Sequence, residues 1–467
     1  MNATEICMQS LTEVSGLIAR REVSPVELTR AMLERIERVD RPLHAYLTVT
    51  PERALAAAKA AEEELARGAR RGPLHGVPIG VKDLCATRGV RTTCGSAVFA
   101  EHVPDRDAAV VARLEAAGAI MLGKLNLTEF ALLGYHPSIP TPRNPWDLGR
   151  DPGGSSSGPG VATAAGLCFA AIGTDTGGSI RMPSGWCGVV GLKPTYGRVS
   201  RAGVFPLAAS LDHVGPMARR VGDVATVLDA IAGFDPDDPT TLRDAPPHCA
   251  AAVGGDVRGL RIGWDERFVA AGAEPDVVAA TREAVRALAA QGAQVVEIEV
   301  PAVDSALSAW PVLCGAEAAA VHAATYPSRA ADYGPTFVSF LEYAATLTAR
   351  DIDASRAARR EWVGRLPGVF ERVDVLACPS TFMNALPAEL MDSVGPFTPE
   401  IARFMRFTAP FNFSGNPTLS LPCGFDANGL PYSLQLVGRH GEEALLCRVG
   451  HAYEAATPWH QRHPPGI

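Results

Sequence analysis

The chain has 467 residues, 47% of them hydrophobic, which is enough to bury a large core. Its formal net charge is −8, and its Lys and Arg residues form no basic stripe, so we expect no nucleic-acid partner. No apolar run reaches the about 18 residues that a membrane span needs. The first thirty residues lack the basic start and continuous apolar core of a secretory signal, so we expect a cytoplasmic protein.

Cysteine and histidine usage gives no sign of a metal site. The ten cysteines and eleven histidines are dispersed, with no CxxC pair and no HExxH motif. Several cysteines lie within apolar runs, where a free thiol behaves as a small hydrophobe: Cys168, Cys378 and Cys447. The pattern predicts reduced thiols, no bound metal and no other cofactor.

The N-terminal region, residues 1–70, is predicted to be helical. The motif Ser24–Glu27 combines an N-cap serine, a proline at the first helical position and a glutamate that completes a capping box. Apolar residues at helical spacing follow it. A short apolar run over 45–49 then leads to a second predicted helix, rich in Ala and Glu, over 51–66.

Residues 71–235 alternate between apolar runs and helical patterns, which is typical of an α/β fold. The apolar runs cover 77–81, 119–122 and 168–172, and the helices cover 107–117 and 221–232. Residues 137–160 are dense in Pro, Gly, Ser and Asn, which predicts irregular backbone.

The rest of the chain divides into a variable part, 236–405, and a C-terminal return to the core, 406–467. Short apolar runs over 259–263 and 293–300 flank a predicted helix over 276–290, and the Ala-rich stretch 305–405 is expected to be mostly helical and to shape a pocket. The last part predicts strands over 418–422 and 432–437, a turn at 427–429 and a helix over 441–455. Since no long linker or internal repeat interrupts the chain, we expect a single domain, 1–467.

A glycine-rich stretch, Gly173–Arg181, follows the predicted strand 168–172. Gly177 and Gly178 let the backbone approach a ligand closely, and successive free N–H groups in such a turn form an anion site. Ser179 stands at its end, which offers a nucleophile beside a place for the oxyanion of acyl transfer. An ordinary glycine-rich turn with a solvated serine is the alternative.

A serine nucleophile needs a base. No histidine is tied to Ser179 by the sequence, so a Ser-His-Asp triad stays open. Lys82 ends an apolar run, where a charge is costly unless the lysine pKa falls, and a serine-rich stretch occupies 151–160. Taken separately, Lys82 could reach water along its aliphatic stem, and the serine run could be a flexible loop.

Together these stretches resemble the motifs of the amidase signature family, and they occur in the same order. The matching segments are 76–83, 123–130, 144–147 with 152–156, 173–181, 187–195 and 210–217. The resemblance covers about residues 10–235 and resumes at 416–417 and 429–431. It implies a large central mixed, twisted sheet covered by helices on both faces. It also implies hydrolysis of a small amide-like substrate. We expect no cofactor and a monomer or homodimer, and the sequence leaves the oligomeric state open.

The resemblance further implies a Ser-cis-Ser-Lys triad. Ser179 matches the nucleophile and Ser155 the bridging serine, whose peptide bond from Gly154 would be cis. Lys82 matches the base, which burial must keep neutral. The N–H groups expected to hold the oxyanion are those of Thr176, Gly177, Gly178 and Ser179.

The sequence departs from the family pattern near the site. Ser157-Gly158 replaces a second glycine pair and Pro159 follows it, so Ser157 must tolerate a position that often holds glycine. Two other unusual stretches, 135–137 and 184–186, flank the site. The candidate substrate contacts are Tyr135, His136, Gly154 and Trp186, and Trp186 also fits core packing.

One alternative is a serine esterase of the α/β-hydrolase type. Ser156 satisfies the Gly-x-Ser-x-Gly pattern of a nucleophile elbow, over Gly154–Gly158. That elbow requires a strand directly before the serine, whereas residues 144–152 have no strand pattern. This alternative is therefore disfavoured.

The main alternative is a component of an amidotransferase. Gly188–Ser200 looks especially like glutamyl-tRNA amidotransferase chains of the A type, which would make this chain a glutaminase acting within a tRNA-dependent complex. The sequence leaves the substrate open, since anilides, aliphatic amides, carbamates, urea derivatives and esters all suit the same triad. It also leaves open whether a partner protein is needed.

Overall fold

The computed structural model describes residues 3–392, 394–395 and 399–467. It is an α/β fold built on one sheet of 11 strands. The strands are β1 Tyr46–Val49, β2 Pro78–Lys82, β3 Ile120–Leu125, β4 Ala170–Asp175, β5 Val190–Lys193, β6 His213–Ala218, β7 Arg261–Trp264, β8 Gln294–Glu297, β9 Val375–Pro379, β10 Thr418–Phe425 and β11 Pro431–Val437. The predicted helical stretch 305–405 includes residues 393 and 396–398, which lie outside the described part.

The sheet is mixed, as the family resemblance implies. The strand order is β1-β3-β2-β4-β6-β5-β10-β11-β9-β7-β8. β2 runs parallel to β3 and β4, and β7 runs parallel to β8 and β9, while the other pairs are antiparallel. Every residue of β2, β3, β4 and β6 is buried, which means that both faces of this part of the sheet are covered.

Helices cover the sheet. In chain order the α-helices of the described residues are α1 Ala3–Met8, α2 Leu11–Ala19, α3 Pro25–Val39, α4 Pro51–Ala66, α5 Ala109–Ala116, α6 Ser157–Ala164, α7 Arg181–Cys187, α8 Val221–Ile231, α9 Cys249–Ala252, α10 Glu266–Ala270, α11 Pro275–Ala290, α12 Asp304–His322, α13 Pro335–Thr346, α14 Ala349–Arg365, α15 Pro367–Arg372, α16 Ala388–Asp392, α17 Pro399–Met405, α18 Ala409–Ser414 and α19 Glu443–Ala456. None of those described is long and apolar enough to cross a membrane.

The predicted N-terminal helix is confirmed as α3. The Ser24 hydroxyl accepts hydrogen bonds from the backbone of Val26 and Glu27, and the Glu27 carboxylate accepts from the Ser24 N–H. These bonds satisfy N–H groups that the first helical turn leaves without partners. Leu28 and Met32, four residues apart, are buried on the inner face. The predicted helix over 51–66 is confirmed as α4.

The differences from the sequence prediction include two strands and one helix start. β6 contains Gly215 and Pro216, residues that weaken a strand pattern, yet it lies between β4 and β5. β9 is a five-residue strand inside the stretch predicted to be helical. Within the predicted irregular stretch 137–160, α6 begins at Ser157. Pro159 is tolerated there because the first turn of a helix lacks intrahelical N–H partners.

The parallel pairing of β2 and β4 creates the site. Ile79 pairs with Ala170 and Val81 pairs with Ile172, so the two strands end side by side. Lys82 is the last residue of β2, and Asp175 is the last of β4. The glycine-rich stretch therefore leaves the sheet at the edge where the Lys82 side chain lies, the usual place for a site in an α/β sheet.

Candidate active site

Lys82 is fully buried among hydroxyl groups. Its Nζ lies 2.7 Å from Ser155 Oγ, 2.9 Å from Ser156 Oγ and 2.8 Å from Thr174 Oγ1. Burial lowers the pKa of Lys82 to about 7. A substantial fraction of the amine is therefore neutral near pH 7 and can accept a proton.

The hydrogen bonds around Nζ indicate which hydroxyl can give it that proton. A charged ammonium donates to all three hydroxyls, whereas a neutral amine has two N–H groups and one lone pair, so one hydroxyl must then donate to it. The Ser156 hydroxyl donates to the Thr174 carbonyl oxygen at 3.1 Å and accepts from the Thr174 N–H at 3.2 Å. The proton for Lys82 thus falls to Ser155 or to the Thr174 hydroxyl.

Ser155 and Ser179 come from neighbouring backbone segments. The Gly154–Ser155 peptide bond is cis, as the resemblance implies. The Ser156 N–H donates to the Ser179 carbonyl oxygen at 3.2 Å, which ties the two segments together. Gly153 has a φ of 82°, and a Cβ there would lie 2.8 Å from the backbone of Pro183. Only glycine fits at that position.

Ser156 does not lie on a nucleophile elbow. It is fully buried, its hydroxyl is held by Lys82 and Thr174, and an irregular segment rather than a strand precedes it. These contacts remove the structural basis of the esterase alternative, which requires an exposed serine at a strand end.

A buried ion pair between Asp175 and Arg181 supports the glycine-rich loop. The Asp175 carboxylate accepts from the N–H groups of Gly178 at 2.9 Å and Ile180 at 3.0 Å. The Arg181 guanidinium binds the same carboxylate at 2.8 and 3.0 Å and also donates to Asn412 Oδ1 at 2.6 Å. Burial alone would raise the pKa of Asp175, but the Arg181 charge holds it well below its ordinary range. The carboxylate is therefore ionised and fixes the curvature of the loop.

Two side chains from distant parts of the chain, Trp310 and Thr408, bind carbonyl oxygens of the same loop. The Trp310 indole N–H donates to the Thr176 carbonyl oxygen at 2.9 Å, and the Thr408 hydroxyl donates to the Gly177 carbonyl oxygen at 2.6 Å. In a trans peptide the C=O and the following N–H point in opposite directions. Trp310 therefore directs the Gly177 N–H away from itself, and Thr408 directs the Gly178 N–H towards Asp175.

The close approach of Trp310 and Thr408 explains the two glycines. A Cβ on Gly177 would lie 2.9 Å from the Trp310 ring, and a Cβ on Gly178 would lie 2.7 Å from Thr408 Oγ1. Gly178 also has a φ of 139°, which other residues rarely adopt. Any side chain at either position would push the anchoring residues off the loop.

Ser179 is half-buried and lines a pocket that we name the apolar pocket. Its wall consists of Ala131, Leu132, Leu133, Gly154, Thr176, Gly177, Gly178, Ser179, Met182, Leu207, Trp310, Phe340, Met391, Ile401 and Met405. Among these described residues there is no charged side chain and no histidine. The pocket therefore presents a serine hydroxyl and a glycine-rich backbone in apolar surroundings, and its described lining contains no histidine for a Ser-His-Asp triad.

Comparison with known proteins agrees with this geometry. The family model for amidases matches residues 27–447. The chain belongs to the amidase signature family. Its motifs and fold are thus those of the family, and the protein is an amidase signature hydrolase.

The relatives of this amidase are full-length matches of two kinds. A Mycobacterium tuberculosis protein assigned to the amidases and named AmiD is 46% identical over 455 residues, which cover 97% of this chain and 95% of AmiD. The A-type component of the glutamyl-tRNA(Gln) amidotransferase of Roseiflexus castenholzii is 43% identical over 488 residues, covering 99% and 98% of the two chains. The solved structure of 6-aminohexanoate cyclic dimer hydrolase with its substrate superimposes with a TM-score of 0.90 at 30% identity, covering 98% and 99%.

The residues predicted to contact substrate in this amidase lie in different places. Gly154 lines the apolar pocket. Tyr135 is half-buried, and the neighbouring His136 ring bonds Ser138 Oγ at 2.7 Å. Trp186 is fully buried, and its indole N–H donates to the Met383 carbonyl oxygen at 3.0 Å. The structure therefore places Trp186 in the core, the other role that its sequence position fits.

Several residues of the site were not predicted. Thr174 and Asp212 lie in segments that match the family, and the Asp212 carboxylate accepts from the Thr176 hydroxyl at 2.6 Å. Burial raises the pKa of Asp212 to about 6. Their position inside the family-like segments 173–181 and 210–217 was a signal from which both residues could have been predicted. Trp310 lies in the unmatched stretch and Thr408 just beyond it, where no motif distinguishes them.

Proposed function

We propose that this amidase hydrolyses a carboxylic amide through an acyl-enzyme on Ser179, with Ser155 and Lys82 relaying the proton. The observation that carries the proposal is the buried Lys82 amine, with a pKa of about 7, placed 2.7 Å from Ser155 Oγ. A base with a pKa near the working pH is the most effective proton acceptor.

The reaction proceeds in two halves. Neutral Lys82 takes the proton of Ser155, Ser155 takes that of Ser179, and Ser179 Oγ attacks the amide carbonyl. The proton then returns through Ser155 to the amide nitrogen, the C–N bond breaks, and the amine leaves the acyl group on Ser179. Water attacks the ester by the same relay, which releases the acid and restores all three side chains.

The oxyanion is stabilised by backbone N–H groups of the glycine-rich loop. Because the Gly178 N–H already donates to Asp175, we assign the oxyanion to the N–H groups of Thr176, Gly177 and Ser179. The Trp310 and Thr408 anchors hold this backbone before substrate arrives, and donors fixed in advance stabilise a transition state most strongly.

The lining of the apolar pocket supports an uncharged, aliphatic or aromatic acyl group. Met182, Phe340 and Met405 give the space beside Ser179 an apolar lining. Apolar surface buried there contributes about 25 cal/mol per Å². The hydrolase of the 6-aminohexanoate cyclic dimer, which shares this fold, acts on an aliphatic amide and supports the same class. Anilides, carbamates and esters with a similar acyl side fit the same chemistry.

The second candidate function is that of a glutaminase component in a tRNA-dependent complex. It is supported by the 43% identity to the amidotransferase component over nearly the whole chain. Free glutamine carries an ammonium and a carboxylate, and burying these groups is costly unless charged partners are supplied. The described lining of the apolar pocket has no such partners, which favours the simple amidase.

The test is an activity screen of the purified chain. Hexanamide, an anilide and an ester of hexanoic acid, and glutamine with and without tRNA are offered, with Ser179→Ala as the blank. We expect ammonia from hexanamide without any partner. Turnover of glutamine only, and of none of the hexanoyl substrates, would overturn the proposal in favour of the second candidate.

A further inference from the structure

A second pocket lies against the apolar pocket, and we name it the acidic pocket. The two share a wall formed by Ala131, Thr176 and Leu207. Besides Thr176 of the shared wall, the polar residues that line the acidic pocket are Thr174, Arg201, Asp212, His213, Asp237 and Asp238. Thr174 also contacts Lys82 Nζ, so the acidic pocket lies beside the proton relay. Ser179 lines only the apolar pocket.

The charges of the acidic pocket leave an excess of carboxylate. Arg201 lies 3.5 Å from Asp238, and its backbone N–H donates to the same carboxylate at 2.9 Å, so this pair is neutralised within the protein. Among the described residues, Asp212 and Asp237 have no such cation within the pair distance, although the Asp212 oxygens already accept hydrogen bonds from the Thr176 hydroxyl and from the N–H groups of Leu207 and Ala208. Asp212 is 9% exposed, and Asp237 is exposed at the mouth.

His213 adds a hydrogen-bond acceptor. Its Nδ1 lies 2.7 Å from the Leu211 carbonyl oxygen, which can only accept, so the ring proton is on Nδ1. The residue is 3% exposed, and Nε2 has no hydrogen-bond partner among the described residues. Burial lowers the pKa of His213 well below its ordinary value, which keeps the ring neutral. Asp212, Asp237 and this nitrogen are all hydrogen-bond acceptors, and such a set is complementary to a ligand with N–H groups.

We propose that the acidic pocket is the subsite for the amine half of the substrate, and that it favours amines that carry a second, positively charged nitrogen. This inference rests on the proposed function. The acyl group stays bonded to Ser179 and must occupy the pocket that Ser179 lines. The amine lies on the other side of the carbonyl carbon, and the acidic pocket, which shares three lining residues with the apolar pocket, is the polar space next to it. An ammonium group there meets the carboxylates of Asp212 and Asp237, which the described lining of the apolar pocket does not offer.

The experiment uses amides with one acyl group and different amines. N-(2-aminoethyl)hexanamide, which is cationic, is compared with the neutral N-propylhexanamide and the anionic hexanoylglycine, with hexanamide as reference. Values of kcat/KM are measured for the wild type, for Asp237→Asn, and for Asp244→Asn, which removes an exposed acid of the same segment outside the pocket. Binding of the first two amides to Ser179→Ala is measured by calorimetry.

We expect the cationic amide to be preferred over the neutral one and the anionic one to be the poorest. Asp237→Asn should reduce the preference about two- to fivefold, the effect of one exposed charge, while Asp244→Asn leaves it unchanged. Equal values for the cationic and neutral amides, or a preference that Asp237→Asn leaves intact, would overturn the inference. If hexanamide is hydrolysed without any preference, only this inference fails. If no amide is hydrolysed and none binds Ser179→Ala, the proposed function fails with it.

Discussion

The two sides of Ser179 differ in where their residues come from and in what they demand of the sequence. The proposed proton relay is polar and built from residues 82–179, whereas five of the fifteen residues that line the apolar pocket come from residues 310–405. Each position of the proposed relay requires one particular residue type. The pocket wall needs only apolar side chains of suitable volume, which many sequences supply. The residues of the proposed reaction can therefore be found from sequence motifs, whereas the residues that select the acyl group cannot.

The largest expected effect separates the nucleophile from its neighbour. Ser179→Ala should lower kcat by about four to six orders of magnitude, because the acyl-enzyme can no longer form. Ser156→Ala, at a serine that only holds Lys82 and Thr174, should leave a substantial part of the activity. Both are measured as kcat/KM for hexanamide. An inactive Ser156→Ala beside an active Ser179→Ala would restore the esterase alternative.

The next effect concerns Lys82 and pH. Because the lysine pKa is lowered to about 7, the neutral amine is the minor form below pH 7 and the major form above it. We expect kcat/KM to rise about tenfold per pH unit below pH 7 and to level off above it. Lys82→Ala should reduce the rate by about 10²–10⁴-fold and remove that rise.

Lys82→Arg distinguishes a base from a charge at the same place. The guanidinium stays protonated and cannot accept the Ser155 proton, so we expect no rescue. The measurement is the pH–rate profile of the wild type and both variants. An arginine variant close to the wild-type rate would mean that the site uses the charge, and the relay would have to be abandoned.

The same contrast explains what the sequence could predict. The capping box at Ser24–Glu27, the buried Lys82 and the order of the family motifs are local patterns, and the helix α3, the fold and the family are confirmed. Strand β6 was missed because Gly215 and Pro216 weaken the local preference, and its place between two strands comes from tertiary pairing. No local pattern records such pairing.

The anchors of the glycine-rich loop were unpredictable for a related reason. Trp310 and Thr408 are 134 and 231 residues from the carbonyl groups that they bind. A tryptophan in an Ala-rich helix fits core packing equally well from sequence. The sequence motif contains Gly177 and Gly178, but it does not tell which side chains pack against these two glycines. A contact between residues so far apart in the chain can be recognised from sequence only at the residue that must be glycine, and not at its distant partner.

A third, smaller effect tests the support beneath the loop. Arg181→Met leaves the buried Asp175 carboxylate without its partner, which should destabilise the fold by about 3–5 kcal/mol at pH 7. Without the guanidinium the pKa of Asp175 rises, so the carboxylate protonates at mildly acidic pH and the variant's deficit should shrink between pH 7 and pH 4.

Urea unfolding at both pH values measures the deficit. The control is Arg258→Met, which breaks an exposed ion pair with Asp256 and should change the free energy of unfolding by less than about 1 kcal/mol. A deficit for Arg181→Met no larger than that of the control would show that the loop does not depend on the pair.

The smallest effect joins the two sides of Ser179, because Trp310 belongs to the pocket wall and yet holds the loop. Trp310→Phe keeps an aromatic wall but removes the indole N–H that binds the Thr176 carbonyl oxygen. The peptide that carries the Gly177 N–H is then free to tilt, which should lower kcat about tenfold with little change in KM.

Trp362→Phe is the control, since it loses an equivalent indole N–H bond, to the Pro410 carbonyl oxygen, in the core. Both variants should lose similar stability, and only Trp310→Phe should lose kcat. A fall in kcat of the same size in both would assign Trp310 to packing alone, and a change confined to KM would assign it to the pocket wall.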